Sequence, residues 1–115
     1  MTHKELFDLL STLKIPCAYN HFEGKVSPPF IAYTEISPEV FNADDYNYSM
    51  DNNFQVELVS DKKDVDLEAS LETLFNNNHI PFEKMDDIYD DSERIYIITY
   101  EIWLFVKYRR LKYGK

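Results

Sequence analysis

The sequence is poor in the residues on which many binding sites depend. It contains two glycines in 115 residues, and the Gly-rich motifs GxGxxG and GxxxxGK[ST], which hold nucleotide phosphates, are absent. A single cysteine, Cys17, excludes an internal disulfide and is typical of proteins made in a reducing compartment. No apolar run reaches the roughly 20 residues that a membrane-spanning helix needs. The first residues carry Glu5 and Asp8 and lack a small-residue cleavage site, which is not typical of a signal peptide. We therefore expect synthesis in a cytoplasm, with no nucleotide cofactor.

Basic residues are also few, and they are unevenly placed. The chain has 21 acids and 12 bases, a net charge of −9, which disfavours nonspecific binding to nucleic acid or anionic lipid. Residues 107–115 hold five bases and no acid, so residues 1–106 hold 7 bases and 21 acids, a net charge of −14. With 44% hydrophobic residues the chain can bury a core. We predict a single domain over residues 1–106 and a basic C-terminal tail over residues 107–115.

Two segments have the apolar spacing of amphipathic helices. Leucines recur at i, i+3, i+4 and i+7 over about residues 3–13, and Thr2 and Glu5 have the spacing of a capping box. The second helix begins after Asp61 or Asp64 as its N-cap. Its apolar face comprises Leu67, Leu71, Leu74 and Phe75. An Ile-Pro pair follows each helix and ends it.

The other segments are rich in β-branched and aromatic residues, which favour strands. We predict strands over about residues 17–22, 30–36, 46–59, 82–89 and 94–108, with a loop over 38–45 and a bent or interrupted third strand. The resulting order, α-β-β-β-α-β-β, indicates an α+β fold. We expect a mostly antiparallel sheet with the two helices packed on one face and a long C-terminal β-hairpin.

The second arm of this hairpin is apolar on both of its faces. Successive side chains of a strand point to opposite faces, and one set comprises Ile95, Ile97, Thr99, Glu101, Trp103 and Phe105. The other set comprises Tyr96, Ile98, Tyr100, Ile102, Leu104 and Val106. One set covers a core, and the other must also be covered. We take the second set, together with Arg109 and Arg110, as the candidate subunit or partner interface.

No group of residues has the spacing of a catalytic or metal site. Cys17 and His21 could form a nucleophilic pair, but four residues apart on a strand they would lie about 13 Å from each other. We interpret them as a small buried cysteine and a surface histidine. The three histidines, His3, His21 and His79, lack metal-ligand spacing. We predict no catalytic residue, no metal and no cofactor.

Two kinds of charged segment remain, and each has more than one interpretation. The acidic clusters at 44–51 and 86–93 lack the glycine and spacing of an EF-hand loop; they are solvated turns or a negative patch for a basic partner. The basic tail, KYRRLKYGK, is a solubilising terminus, a contact for the acidic body of a neighbouring subunit, or a nucleic-acid contact. Opposite charges on two parts of one chain are what head-to-tail self-association uses.

The order of several short motifs resembles a known family. They are IPCAY at 15–19, HF at 21–22, PPFIAY at 28–33, FNADD at 41–45, VELV at 56–59, KKD at 62–64, LE at 67–68 and YIITYE at 96–101. In this order they are similar to the small head–tail joining proteins of tailed phages and prophages of Gram-positive bacteria. These are described as tail terminator, tail completion or head–tail connector proteins. The similarity covers about residues 5–106, and the basic tail lies outside it.

The resemblance implies a non-enzymatic virion protein of α+β fold at the head–tail junction, assembled in the host cytoplasm. Tail terminators of this kind form a ring, commonly of six subunits, that caps the tail tube and presents a surface to the head connector. The implied partners are further copies of the chain, the major tail protein and the head connector proteins. Neither a specific nucleic acid nor a membrane is an expected partner.

An alternative function follows from the acidic composition. A small acidic binding module can imitate DNA and inhibit a host nucleic-acid enzyme, because carboxylates can be spaced like phosphates. The basic tail and the apolar hairpin fit this function poorly.

Overall fold

The computed structural model describes residues 2–36 and 51–105, and within these ranges the elements follow the predicted order α-β-β-β-α-β-β. They are α1 (His3–Ser11), β1 (Cys17–Tyr19), β2 (Phe30–Glu35), β3 (Asp51–Ser60), α2 (Val65–Asn77), β4 (Phe82–Asp90) and β5 (Ile95–Phe105). The predicted α+β class is confirmed. The predicted loop at 38–45, the residues 46–50 and 106–108 of two predicted strands, and the boundary between domain and tail lie outside the described residues.

Both helices begin at side chains that cap their first turn. The Thr2 hydroxyl accepts the backbone N–H of Glu5 at 3.1 Å, and the Glu5 carboxylate accepts the backbone N–H of Thr2 at 2.7 Å, which confirms the predicted capping box. At α2 the carboxylate of Asp64 accepts the backbone N–H of Leu67 at 3.1 Å, so Asp64 rather than Asp61 is the N-cap. In the part of the chain that the structure describes, no helix has the length and apolarity to span a membrane.

The described strands form one sheet in the order β1-β2-β3-β5-β4. β1 pairs with β2 in parallel, and the other three pairs are antiparallel. The predicted C-terminal hairpin is confirmed as the pair β4–β5. β5 lies between β3 and β4, so the apolar second arm of the hairpin is an interior strand and β4 is an edge.

Each helix packs one row of buried apolar side chains against the same face of the sheet, which we call the core face. Leu6 and Leu10 of α1, with Leu71 and Phe75 of α2, belong to the same buried cluster as the strands. The strand members of this cluster are Ile31, Tyr33, Phe54, Val56, Leu58, Ile98, Tyr100, Ile102 and Leu104. Because both helices share this core, the predicted placement of the two helices on one face of the sheet is confirmed.

The core face carries the residues that the sequence assigned to a partner interface, and this corrects that assignment. Ile98, Tyr100, Ile102 and Leu104 are at most 3% exposed, because they lie under the two helices of their own chain. A partner of the folded chain cannot reach these four side chains. Tyr96 is half-buried. Val106, Arg109 and Arg110 lie outside the described residues.

The opposite side of the sheet, which we call the open face, has no helix on it within residues 2–36 and 51–105. Directly paired residues of antiparallel strands share a face, so Thr34, Gln55, Glu101 and their neighbours lie together here. Most of these side chains are half-buried. The side of β5 that is not covered by the helices of its own chain is therefore the open face.

Candidate interaction surface

β4 forms a nine-residue edge of the sheet, and we call its outer side the β4 edge. The outer backbone groups of an edge strand can pair with another extended chain. The opposite edge of the described sheet, β1, has three residues. β4 is thus the longer of the two edges by a factor of three.

The β4 edge exposes large apolar side chains. Met85, Ile88 and Tyr89 are 49%, 51% and 46% exposed. The register with β5 shifts by one residue between Lys84 and Asp86, so Met85 is the extra residue of a β-bulge. Bulges and charges are devices that keep edge strands from pairing indiscriminately. The β4 edge therefore combines exposed apolar side chains on both faces of the strand with features that restrict its partners.

The charges on β4 divide between the two faces of the sheet. Glu83 and Asp86 pair with Glu101 and Thr99, which puts them on the open-face side. Both are exposed, and neither forms an ion pair within the described residues. Lys84 and Asp87 lie on the core-face side, where they meet α2 and the segment before it.

On that side five charged residues form what we call the ion-pair cluster: Lys63, Glu68, Glu72, Lys84 and Asp87. The Glu68 side chain is 8% exposed and lies between two ammonium groups. Lys84 Nζ is 3.2 Å from Glu68 Oε1 and 3.4 Å from Glu72 Oε2. Lys63 Nζ bonds Asp87 Oδ2 at 2.6 Å and lies 2.7 Å from Glu68 Oε2. The cluster ties α2 to β4.

The pKa values of the two lysines reflect these contacts. The Asp87 carboxylate, followed by that of Glu68, raises the pKa of Lys63. Desolvation alone would lower the pKa of Lys84, but its contacts with Glu68 and Glu72 outweigh this effect and raise it. Glu68 Oε2 lies 2.7 Å from Lys63 Nζ, so the ammonium group of Lys63 balances the charge of this buried oxygen.

Replacing Glu68 by glutamine tests the contribution of the cluster. The amide keeps the volume but removes the charge that faces both ammonium groups. Because both lysine side chains are more than a third exposed, we expect a loss of about 1–2 kcal/mol in the free energy of unfolding, below the value for fully buried pairs. Urea titration measures it, with Glu83→Gln on the exposed side of β4 as the control. An unchanged or more stable Glu68→Gln variant would show that the desolvation cost of Glu68 equals or exceeds its attraction to the lysines.

The residues considered for catalysis occupy unrelated positions. Cys17 is half-buried beside the core, and burial raises the pKa of its thiol to about 11, so it stays protonated at neutral pH. His21 and His79 are exposed. Within residues 2–36 and 51–105, no three histidine, cysteine or acidic side chains come together as a metal site.

His3 belongs to an aromatic cluster at the start of α1. Its Nε2 lies 3.0 Å from the hydroxyl of Tyr33, and its ring centroid lies 4.9 Å from that of Tyr19 and 5.6 Å from that of Phe54. Offset and edge contacts of this kind stabilise packed rings. Part of the aromatic content therefore serves to attach α1 to the sheet.

Sequence reasoning missed the β4 edge and the ion-pair cluster. A signal for the cluster was present, because Glu68 and Glu72 are spaced i, i+4 on α2 and Lys84 follows in the next strand. A signal for the edge was the high charge of β4 beside the apolar β5. Comparisons with protein-family models, with curated proteins and with solved structures gave no match to this chain.

Proposed function

We propose that the chain is a structural protein of the head–tail junction of a tailed phage or prophage, of the tail terminator or tail completion type, and that it assembles into a ring. The order of sequence motifs suggests the family. The observation that carries the assembly role is the β4 edge, a nine-residue edge strand with three large apolar side chains about half exposed. The outer backbone groups of such an edge strand can pair with an extended chain.

A ring requires a contact between two different surfaces of neighbouring copies. Two β4 edges facing each other would bring together exposed acids, Glu83 and Asp86 of each copy, and like charges across strands are destabilising. This disfavours a symmetric β4–β4 dimer. A head-to-tail contact between the β4 edge and another surface avoids the repulsion and, when its rotation closes, generates a ring.

The acidic charge also suits a junction through which DNA passes. Residues 1–106 carry a net charge of −14, and a negative surface facing a channel repels the phosphate backbone. DNA would then move through the ring without adhering to it. The mechanism of the protein is mechanical: the ring caps the end of the tail tube and leaves a central passage for DNA.

The oligomeric state of the purified chain tests the proposal. We expect light scattering to show a closed oligomer and negative-stain images to show rings, alone or at the end of tail-tube assemblies. Ile88→Glu adds a charge in the apolar part of the β4 edge and should reduce association at least tenfold, as for a lost interface anchor. Val65→Glu is the matched control, because Val65 is 62% exposed and an acid is favourable in the first turn of α2. A strict monomer at high concentration, with no ring beside the tail-tube protein, would contradict the proposal.

The alternative function, an acidic inhibitor of a host nucleic-acid enzyme, is favoured by the exposed acids of β4 and its turn, Glu83, Asp86, Asp91 and Glu93. It predicts that immobilised protein retains a DNA-binding protein from host lysate and that DNA releases it. Retention that is unchanged in Glu83→Lys/Asp86→Lys and Asp91→Lys/Glu93→Lys variants would contradict it.

A further inference from the structure

The β4 edge has three properties that an occupant must match. Its outer backbone groups pair with no other strand of the described sheet, so the occupant is an extended chain. Met85, Ile88 and Tyr89 are exposed, with Ile88 on the open-face side and Tyr89 on the core-face side, so the occupant carries apolar or aromatic side chains on both of its faces. Glu83 and Asp86 form no ion pair within the described residues, so the occupant is basic.

The basic segment 107–115 has these properties, although it lies outside the described residues. Its sequence, KYRRLKYGK, holds five bases and no acid and places two tyrosines and a leucine among them. It has nine residues, as β4 has. The rest of the chain carries a net charge of −14, and no other segment offers a comparable density of positive charge.

Geometry favours a segment from a neighbouring copy over the chain's own. β5 ends beside the beginning of β4, since Ile102 pairs with Phe82. The outer side of β4 lies two strand spacings from β5, about 10 Å. A segment that follows β5 would have to cross the beginning of β4 and reverse its direction, which consumes several of its nine residues. The segment of another copy can use its full length.

We infer that the basic segment of one copy adds as a strand to the β4 edge of the next copy. This inference rests on the proposed ring and names the contact that closes it. Each copy donates one segment and accepts one, which is the heterologous arrangement that rings require. Main-chain hydrogen bonds supply the pairing, and Glu83 and Asp86 select a basic strand.

Two full-length variants with complementary defects test the inference. An acceptor variant, Arg109→Gln/Arg110→Gln/Lys112→Gln, keeps the β4 edge and neutralises most of its own segment. A donor variant, Glu83→Lys/Asp86→Lys, keeps the segment and reverses the charge of the edge. We expect each to be monomeric alone by light scattering, and the mixture to form a complex of one donor and one acceptor, weakened by added salt.

The control has the same change of charge at another place. Asp91→Lys/Glu93→Lys alters the turn between β4 and β5, outside the β4 edge, and should associate like the unmodified chain. Circular dichroism establishes that all variants are folded. A mixture of folded donor and acceptor that forms no complex overturns the inference, as does a donor that associates with itself as the unmodified chain does.

Proline substitutions in the donor distinguish strand addition from attraction of charges alone. Tyr108→Pro and Leu111→Pro both leave the charge unchanged, and their N–H groups point to opposite sides of an extended strand. Only one of the two can face β4. We expect that variant to bind the acceptor about tenfold more weakly and the other within about threefold. Equal affinities of the two variants overturn strand addition.

The outcomes separate this inference from the proposed function. Rings of the unmodified chain without a donor–acceptor complex would leave the function standing and overturn the inference. A donor–acceptor complex from a chain that forms open filaments instead of rings would support the inference and contradict the ring.

Discussion

Replacing Phe75 by alanine is expected to lower the free energy of unfolding by about 3–5 kcal/mol. Phe75 is 0% exposed, and its ring centroid lies 5.3 Å from that of Phe82 and 5.8 Å from that of Tyr100. The substitution removes the contact by which α2 packs on β4 and β5 and leaves a cavity that the surrounding rings can only partly fill.

Urea denaturation followed by circular dichroism measures this loss. Val65→Ala is the control, because Val65 is 62% exposed at the start of the same helix, and we expect a change within about 0.5 kcal/mol. If Phe75→Ala does not fold, Phe75→Leu gives a smaller loss of about 1–1.5 kcal/mol. Equal stabilities of the Phe75 and Val65 variants would contradict the packing described for α2.

Raising the pH above about 10 is expected to destabilise the chain steeply. Burial raises the pKa of Tyr33 to about 12, and burial, followed by the hydrogen bond that Tyr100 donates to Glu72 at 2.6 Å, raises the pKa of Tyr100. In the unfolded chain both phenols ionise near pH 10. Above pH 10 the folded state therefore binds more protons than the unfolded state. For each proton of this difference, the free energy of unfolding falls by up to about 1.4 kcal/mol per pH unit.

The two lysines of the ion-pair cluster act in the same direction. Their pKa values are raised in the folded state, so the stability that they contribute is present at lower pH and lost as the pH rises through those values. With its pKa raised to about 12, Tyr33 alone is expected to lower the free energy of unfolding by about 2 kcal/mol between pH 10 and pH 12. Tyr100 and the two lysines add to this loss.

Urea midpoints measured between pH 8 and pH 12 test this expectation. Tyr100→Phe should cost about 1 kcal/mol at neutral pH through the lost hydrogen bond, and its free energy of unfolding should fall less steeply with pH above pH 10 than that of the unmodified chain. Tyr89→Phe is the control, because Tyr89 is 46% exposed, and it should keep the slope of the unmodified chain. Identical slopes for the two variants would mean that Tyr100 does not retain its proton in the folded state.

The sequence was sufficient to predict the elements and the capping box of α1, but it left Asp61 and Asp64 open as the N-cap of α2. The leucine spacing of α1 and α2, the capping residues Thr2 and Glu5, and the hairpin β4–β5 depend on local interactions, which a sequence pattern contains. α1 ends at Ser11, close to the predicted position. Local patterns do not specify which strands become neighbours, and the parallel pairing of β1 with β2 and the central place of β5 were not predicted.

The choice of face on β5 could not be made from the sequence. Both sets of alternate residues are largely apolar, so hydrophobicity alone does not distinguish them. The strands beside β5 decide it: Val56 and Tyr33 pair in line with Tyr100 and complete an apolar face, whereas Gln55 stands opposite Glu101. The predicted interface therefore lies on the core face, and only the order of the strands in the sheet determines which surface is open to partners.

The ion-pair cluster has a consequence for the kinetics of association. Edge strands usually fray, but β4 is held to α2 and the preceding segment by Lys84 and Asp87, and by Phe82 against Phe75. Its conformational entropy is lost when the chain folds, before any partner arrives. A partner strand thus binds to a preorganised edge. On binding, the incoming segment alone has to lose conformational entropy. The β4 edge is accordingly expected to bind as a rigid receptor. The lifetime of the complex is then set by the rate at which the bound strand dissociates from β4.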